Sequence, residues 1–515
     1  MVVYPATPPF AIPDRFLMRQ SSTRRAALFI AATLIASGAG FPGDAMAASG
    51  NAGPPGNSPG GNIPSPPEGP VITLTLQDAV ALALRDNRAI KSAYLQRIAQ
   101  KFTLRVAEDQ FTPHLSLSGS ATAGRSSGIS SQKADLTPVV TVVTPIGTQI
   151  ALSGPNSYAH QQDGIFSTAS TLNISVIQPL LRGGGVEAGT AAVRVARIDE
   201  QINRLRLKLT LCNTISGVIL SYRDFLRAQE QLRIARDALD RSRGLLDVNR
   251  ALIRAGRMAD VEIVQTEADV ATQEYAVEDA QNQLDSARLA LLTALAVNPR
   301  TNIRTTDRLD STEFRIDAER ALAIAFDNQP DYLAQLLTIE RARVLVTVAK
   351  DQRLWDLSAV GGGTVGRTGS QAGDRRSSGV YGGLQLVVPL SDLSLEQGEV
   401  TATVAQRDAE VQLEALRQQL EQNTRDAVRN IHIRWRQLEL ARKARDLSQK
   451  KIDIENERLK AGRSSNFQVL SFENDLRNAD SALLSALIAY LNSLTNLDLQ
   501  LGTTLDTWQI AINDG

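Results

Sequence analysis

Few residues in this chain have the type and spacing that chemistry needs. His114, His160 and His432 lie far apart, and no HxxxH or HExxH spacing occurs, so no metal site is expected. Cys212 is the single cysteine, which excludes a disulfide within the chain and a thiolate cluster; it reads as a small apolar residue on a helix. Gly183-Gly-Gly-Val-Glu-Ala188 follows a strand-like segment and opens a helix, like a degenerate dinucleotide fingerprint. A dinucleotide unit needs a second parallel strand about thirty residues on. Here the helical pattern instead runs on for about seventy residues, so the glycines are expected to turn the chain rather than to hold a phosphate. No nucleophile motif and no clustered acidic pair appears, so no catalytic, cofactor-binding or metal residue is expected and an enzyme is disfavoured.

The surrounding elements carry the information. Lys and Arg number 55 against 55 Asp and Glu, a balance that argues against nucleic-acid binding. Aromatic residues make up only 4%, which suits long helix–helix seams better than bulky cores. Arg19, Arg24 and Arg25 precede an apolar run over 26–39, and Ala45-Met46-Ala47 offers a cleavage site, so a secretory signal ending at Ala47 is expected, with Met18 an alternative start. Residues 48–70 are rich in Gly, Pro, Ser and Asn and read as a linker. After residue 47 no apolar stretch is read as long enough for a membrane helix.

The chain is written twice. Val106–Arg125 aligns with Val348–Arg367 at an offset of 242 with ten of twenty positions identical, and Ala255-Gly-Arg257 matches Ala461-Gly-Arg463. Each copy predicts a helix (76–111, 317–354), two strands (114–126 and 170–180; 357–366 and 379–390), a very long helix (186–255, 396–461) and a shorter helix after the Ala-Gly-Arg turn. Leu211, Ile215, Val218, Tyr222 and Phe225 step by four and three, as do Leu483, Leu487, Tyr490, Leu494, Leu497 and Leu501, which is coiled-coil spacing. Along the strands, Leu115 and Leu117, Leu172, Ile174 and Val176, and Leu384, Leu386 and Val388 alternate with polar or small residues. That pattern fits a half-buried sheet and a membrane barrel equally.

A helix of about seventy residues is about 105 Å long, so each copy could present two columns of that length, with strands at one end and Ala-Gly-Arg turns at the other. Four strands cannot close a barrel, since about eight are the practical minimum. Several chains must therefore share one barrel; two, three or four would close it.

The ordered set of segments resembles the outer-membrane factor (TolC-like) family. Leu74-Thr-Leu-Gln-Asp-Ala-Val-Ala-Leu-Ala-Leu-Arg-Asp-Asn87 looks like its usual opening, Gln178-Pro-Leu-Leu-Arg-Gly-Gly-Gly185 like its strand-to-helix corner, and residues 255–268 and 461–470 like its helix tips. The resemblance implies a mostly α fold with a small β part, a homotrimer with a twelve-stranded outer-membrane barrel formed by four strands per chain, and an α-barrel crossing the periplasm. It implies passive export, by tripartite efflux or type I secretion, powered by an inner-membrane pump of RND or ABC type. A periplasmic adaptor would dock on the tips Ala255, Gly256, Arg257, Ala461, Gly462 and Arg463. The family narrows its periplasmic mouth with acidic residues six and nine positions after the second tip glycine. Those positions hold Gln468 and Ser471 here, and their first-copy equivalents are Glu262 and Gln265, so Glu262 is expected to be the main acidic contributor. The leucine, isoleucine and valine positions above would face outer-membrane lipid. The expected organisation is a signal peptide over 1–47, a linker over 48–70, repeats over 71–300 and 317–503, an equatorial connector over 301–316 and a tail over 504–515. Residues 127–166 depart from the repeat, and with Pro138, Pro145 and Pro155 they suggest an extended loop or hairpin at the outer surface. The alternative is a periplasmic coiled-coil adaptor or rod; the doubled strand pairs disfavour it.

Overall fold

The structure, a computed structural model, describes residues 71–511 except 127–128, 162–163, 308, 391 and 462. The expected signal peptide, linker and Gly462 lie outside the described residues, as do residues 512–515 of the tail.

Each copy opens with a three-residue strand. These strands, β1 (Ile72–Leu74) and β7 (Ile303–Thr305), pair in parallel, Ile72 opposite Ile303. Between them run α1 (Leu76–Asp86), α2 (Arg88–Asp109), β2 (His114–Ser126), β3 (Ile129–Val143), β4 (Gln149–Ser153), β5 (Asn156–Gln161), β6 (Phe166–Pro179), α3 (Val186–Gly189), α4 (Ala191–Arg254) and α5 (Glu262–Ala294). The second copy follows as α6 (Ala318–Asn328), α7 (Pro330–Gln352), β8 (Asp356–Ser370), β9 (Gly373–Val387), α8 (Leu393–Lys460), α9 (Asn466–Leu501) and α10 (Thr504–Thr507). The offset of 242 persists in three dimensions: β2 starts at His114 and β8 at Asp356.

Three helices that read as continuous are broken, each for a local reason. Asn87 leaves the helical region at ψ 131°, and its side chain accepts from the N–H groups of Ala89 and Ile90, so it ends α1 and caps α2. Gln329 also leaves the helical region, at ψ 115°, without a side-chain cap bond; there Pro330 opens the first turn of α7. Thr190 separates α3 from α4. The 64 residues of α4 and 68 of α8 span about 96 and 102 Å at about 1.5 Å per residue.

The long helices are the spines. Along α4, α2 packs beside one half, as Arg97–Glu200 and Arg197–Glu108 ion pairs show, and α5 beside the other, through Arg243–Glu274 and Arg250–Glu267. In the second copy α7 and α9 flank α8 through Arg353–Glu399 and Arg445–Asp480. Leu211, Ile215, Val218, Tyr222 and Phe225 are all buried, as are Tyr490, Leu497 and Leu501. Cys212 is buried beside Leu211 and Ile215. By length and composition α9 is long and apolar enough to cross a membrane, contrary to the sequence reading, but its apolar face packs on α8 and α6.

The fold class follows the expectation, mostly α with a small sheet and an internal duplication, but the strand count does not. Among the described residues the sheet has seven strands rather than four, in the order β2-β3-β4-β6-β8-β9, with β5 continuing the line of β4 between β3 and β6. The departing segment is therefore part of the wall: β3 and the β4–β5 line separate β2 from β6. Pro138 hid this. Its carbonyl accepts from Gly154 N–H at 2.9 Å, so its missing N–H faces the gap between β4 and β5, where no ladder bond is lost.

Candidate functional site at the sheet and the helix tips

Antiparallel pairing puts opposed residues on one face of the sheet. One face carries Leu115 opposite Val140, Val140 opposite Leu152, Leu152 opposite Ile174, and Ile174 opposite Gly363, which in turn faces Val380. A second row joins Val142, Ile150 and Val176 to Gly361 and Gly382. The expected Leu117, Leu172, Leu384 and Leu386 share this face, and Leu115, Leu117, Leu172, Ile174, Leu384 and Leu386 are exposed in the single chain. Val176 is half-buried, and Val388 lies just beyond β9, also half-buried, because that strand ends at Val387. The opposite face is mostly polar, with Ser116, Ser118, Thr137, Ser153, Asn173 and Thr364, although Val139 lies in the Ser116–Ser153 row and Val143, Ile177 and Val360 lie toward the helix end. Such a sheet suits a wall between an apolar medium and water.

Sharp reversals close the helix hairpins at the other end of α4 and α8. After α4, Gly256 takes φ +66°, its N–H donates to Ile253 O, and Arg257 N–H donates to Leu252 O at 2.9 Å. Arg463 N–H reaches Arg458 O at 2.8 Å in the same offset. The first turn is the glycine-type helix stop that a positive φ marks, and the second shares its arginine N–H bond. Ala255, Gly256, Arg257, Ala461 and Arg463 are exposed. Glu262 lies in the first turn of α5, with Gln265 one turn on; Gln468 and Ser471 hold the matching turns of α9, and all four are half-buried.

The structure brings these first turns together through residues that the sequence reading passed over. Asn249 Nδ2 donates to Thr266 Oγ1 at 2.7 Å and to Asn466 Oδ1 at 2.8 Å, and Asn466 Nδ2 donates to Thr266 Oγ1 at 2.9 Å and reaches Glu262 O at 3.4 Å. All three side chains are buried. A signal was available: Asn249 ends the seam Leu232, Ala235, Leu239, Ser242, Leu246, Asn249, a polar residue at a heptad position, which fixes register. Farther up, Arg223 is half-buried and donates to Leu491 O and Thr495 Oγ1, both at 2.7 Å. Burial lowers its guanidinium to about 10, still charged at neutral pH, while burial raises the nearby Asp498 carboxyl. No group of three or more His, Cys, Asp or Glu poised for a metal occurs among the described residues.

A two-faced sheet with open edges, carried on helices of about 100 Å, defines a protomer of a trans-envelope channel. The comparisons agree. The model of the family described as outer membrane efflux protein matches residues 79–297 and 321–503, and the chain belongs to that family. No curated protein matches the sequence. The fold is that of the Campylobacter jejuni CmeC outer membrane channel (16% identity, 83% of this chain and 86% of that one, TM-score 0.65). It is also that of the open state of the Neisseria gonorrhoeae MtrE outer membrane channel (16%, 84% and 89%, TM-score 0.63) and of the Vibrio cholerae outer membrane protein VceC (16%, 83% and 96%, TM-score 0.62). The chain is thus an outer-membrane efflux protein, a transporter component rather than an enzyme, which sets aside the adaptor or rod reading.

Proposed function

We propose that three copies of this chain join edge to edge into one passive export duct, coupled through a periplasmic adaptor to an inner-membrane pump of RND or ABC type, in tripartite efflux or type I secretion. The observation that carries it is the sheet: one face apolar, the other polar, with free edges at β2 and β9. A lone sheet of that kind would aggregate. Closure through copies of itself removes the edges, turns the leucine and valine face to lipid and leaves the polar face to line water. Ala255, Gly256, Arg257, Ala461 and Arg463 are exposed at the far ends of the hairpins, where an adaptor can reach them. Glu262 and its three half-buried neighbours then rim the periplasmic mouth.

The test is cross-linking in intact cells. A photo-reactive amino acid at Arg257 or Arg463 is expected to capture one periplasmic protein carrying a helical hairpin, and the same group at Arg376 on β9 is not. Capture that is equal at the tip and strand sites, or absent at both tips, contradicts adaptor docking.

A further inference from the structure

The inserted strands change the barrel itself, an inference that rests on the shared-barrel reading above. We propose that each chain contributes six strand positions rather than four, so that a trimer closes eighteen strands around a lumen about 1.5-fold wider than twelve would give, since barrel diameter grows roughly linearly with strand number.

Four observations carry it. First, β3 and the β4–β5 line are full members of the sheet. β3 pairs with the whole of β2, Ser126 opposite Ile129 to His114 opposite Thr141, and β4 and β5 pair with the two halves of β6. Second, the insertion keeps the apolar rows in register: Val140, Val142, Ile150 and Leu152 continue those of β2 and β6, while Thr137, Thr141 and Ser153 lie on the opposite, more mixed face with Val139 and Val143. A loop lying in water outside a barrel has no need of that registration. Third, the turn between β3 and β4 is seated at the helix end of the sheet. Gly185 N–H donates to Ile146 O at 3.1 Å, and a Cβ on Gly147 or Gly189 would lie 2.2 Å from the carbonyl oxygen of Gly183 or Pro145. The glycine run after β6 is thus the seat of this turn as well as a corner of the chain. Fourth, the parity works. Adding two strand positions keeps the count even, so β2 and β9 run in opposite directions and can pair antiparallel between neighbouring copies, over 13 and 15 residues.

Two measurements separate this from a twelve-stranded barrel with an external hairpin. In the wider barrel Leu115 neighbours Val140, and Val176 lies three strand spacings away, about 14 Å. In the narrower one β2 would pair directly with β6, and Leu115 would meet Val176. In a Cys212→Ala background, a short thiol cross-linker applied to outer membranes should bridge Leu115→Cys with Val140→Cys and leave Leu115→Cys with Val176→Cys unbridged; the reverse overturns the proposal. Electron cryo-microscopy of the unmodified full-length protein in lipid nanodiscs should show six strands per copy. Four strands per copy, with residues 129–161 outside the wall, overturns the wider barrel and leaves the duct reading standing. A monomer without lipid contact overturns both.

Discussion

Tyr222 and Tyr490 stand on different copies of the repeat and do similar work. The Tyr222 hydroxyl lies 2.7 Å from Asp307 Oδ2 and 3.0 Å from Leu74 O, and Asp307 also accepts from Leu76 N–H at 2.7 Å. Burial and the Asp307 carboxylate keep the phenol protonated. Tyr490 donates to Thr312 O at 2.7 Å and accepts from Phe314 N–H at 3.0 Å. Each buried ring thus pins part of the connector to a helix of its own copy, Tyr222 to α4 and Tyr490 to α9. Tyr222→Phe should cost about 1–2 kcal/mol, because Asp307 and Leu74 lose a buried donor. Thermal unfolding of the detergent-extracted protein should show a lower midpoint with the secondary structure intact; an unchanged midpoint contradicts this role. At the tips, Glu262 is the acidic residue among the four positions proposed to rim the mouth. Glu262→Gln should lower the cation preference of single channels in bilayers, and an unaltered reversal potential under a salt gradient removes Glu262 from the mouth.

Strands and helices left different traces in the sequence. Long helices were legible because a heptad stripe recurs: Leu211, Ile215, Val218, Tyr222 and Phe225 are all buried, while Leu220 between them is exposed. β2 was legible because Leu115 and Leu117 alternate with His114, Ser116 and Ser118 and because the second copy repeats its frame. The two faces of the sheet make a sharp prediction. Ile174→Arg, on the apolar face, should cost about 2–4 kcal/mol if it lies at mid-membrane and should reduce assembled protein in the outer membrane. Asn173→Arg, one residue away on the polar face, should assemble normally and shift ion selectivity; equal loss of assembly for both contradicts the facing. The insertion was not legible. Its outer half, Ile129-Ser-Ser-Gln-Lys-Ala-Asp135, has no alternation, and three prolines punctuate it. Only the register shows that Pro138 sits opposite a strand break and that Pro155 marks the step from β4 to β5. The tip network was missed for a related reason: Asn249, Thr266 and Asn466 are far apart in sequence, and their meeting depends on α9 lying against the α4–α5 hairpin.

Within residues 71–511 the duplicated architecture sets what one chain can and cannot do. Two long spines of about 100 Å, each flanked by two shorter helices that together come to about 80–90 Å, supply the helical length. The sheet has an apolar face with nothing against it and edges that its own strands cannot satisfy. Neither feature is stable alone, and both are relieved by the same event, ring closure with further copies in a membrane. The most direct measurement is the mass of the detergent-extracted, full-length protein, by light scattering with the detergent contribution subtracted, on material recovered from outer membranes. The account predicts three chains per particle. A single chain of 55.6 kDa or less, released without detergent, would contradict it.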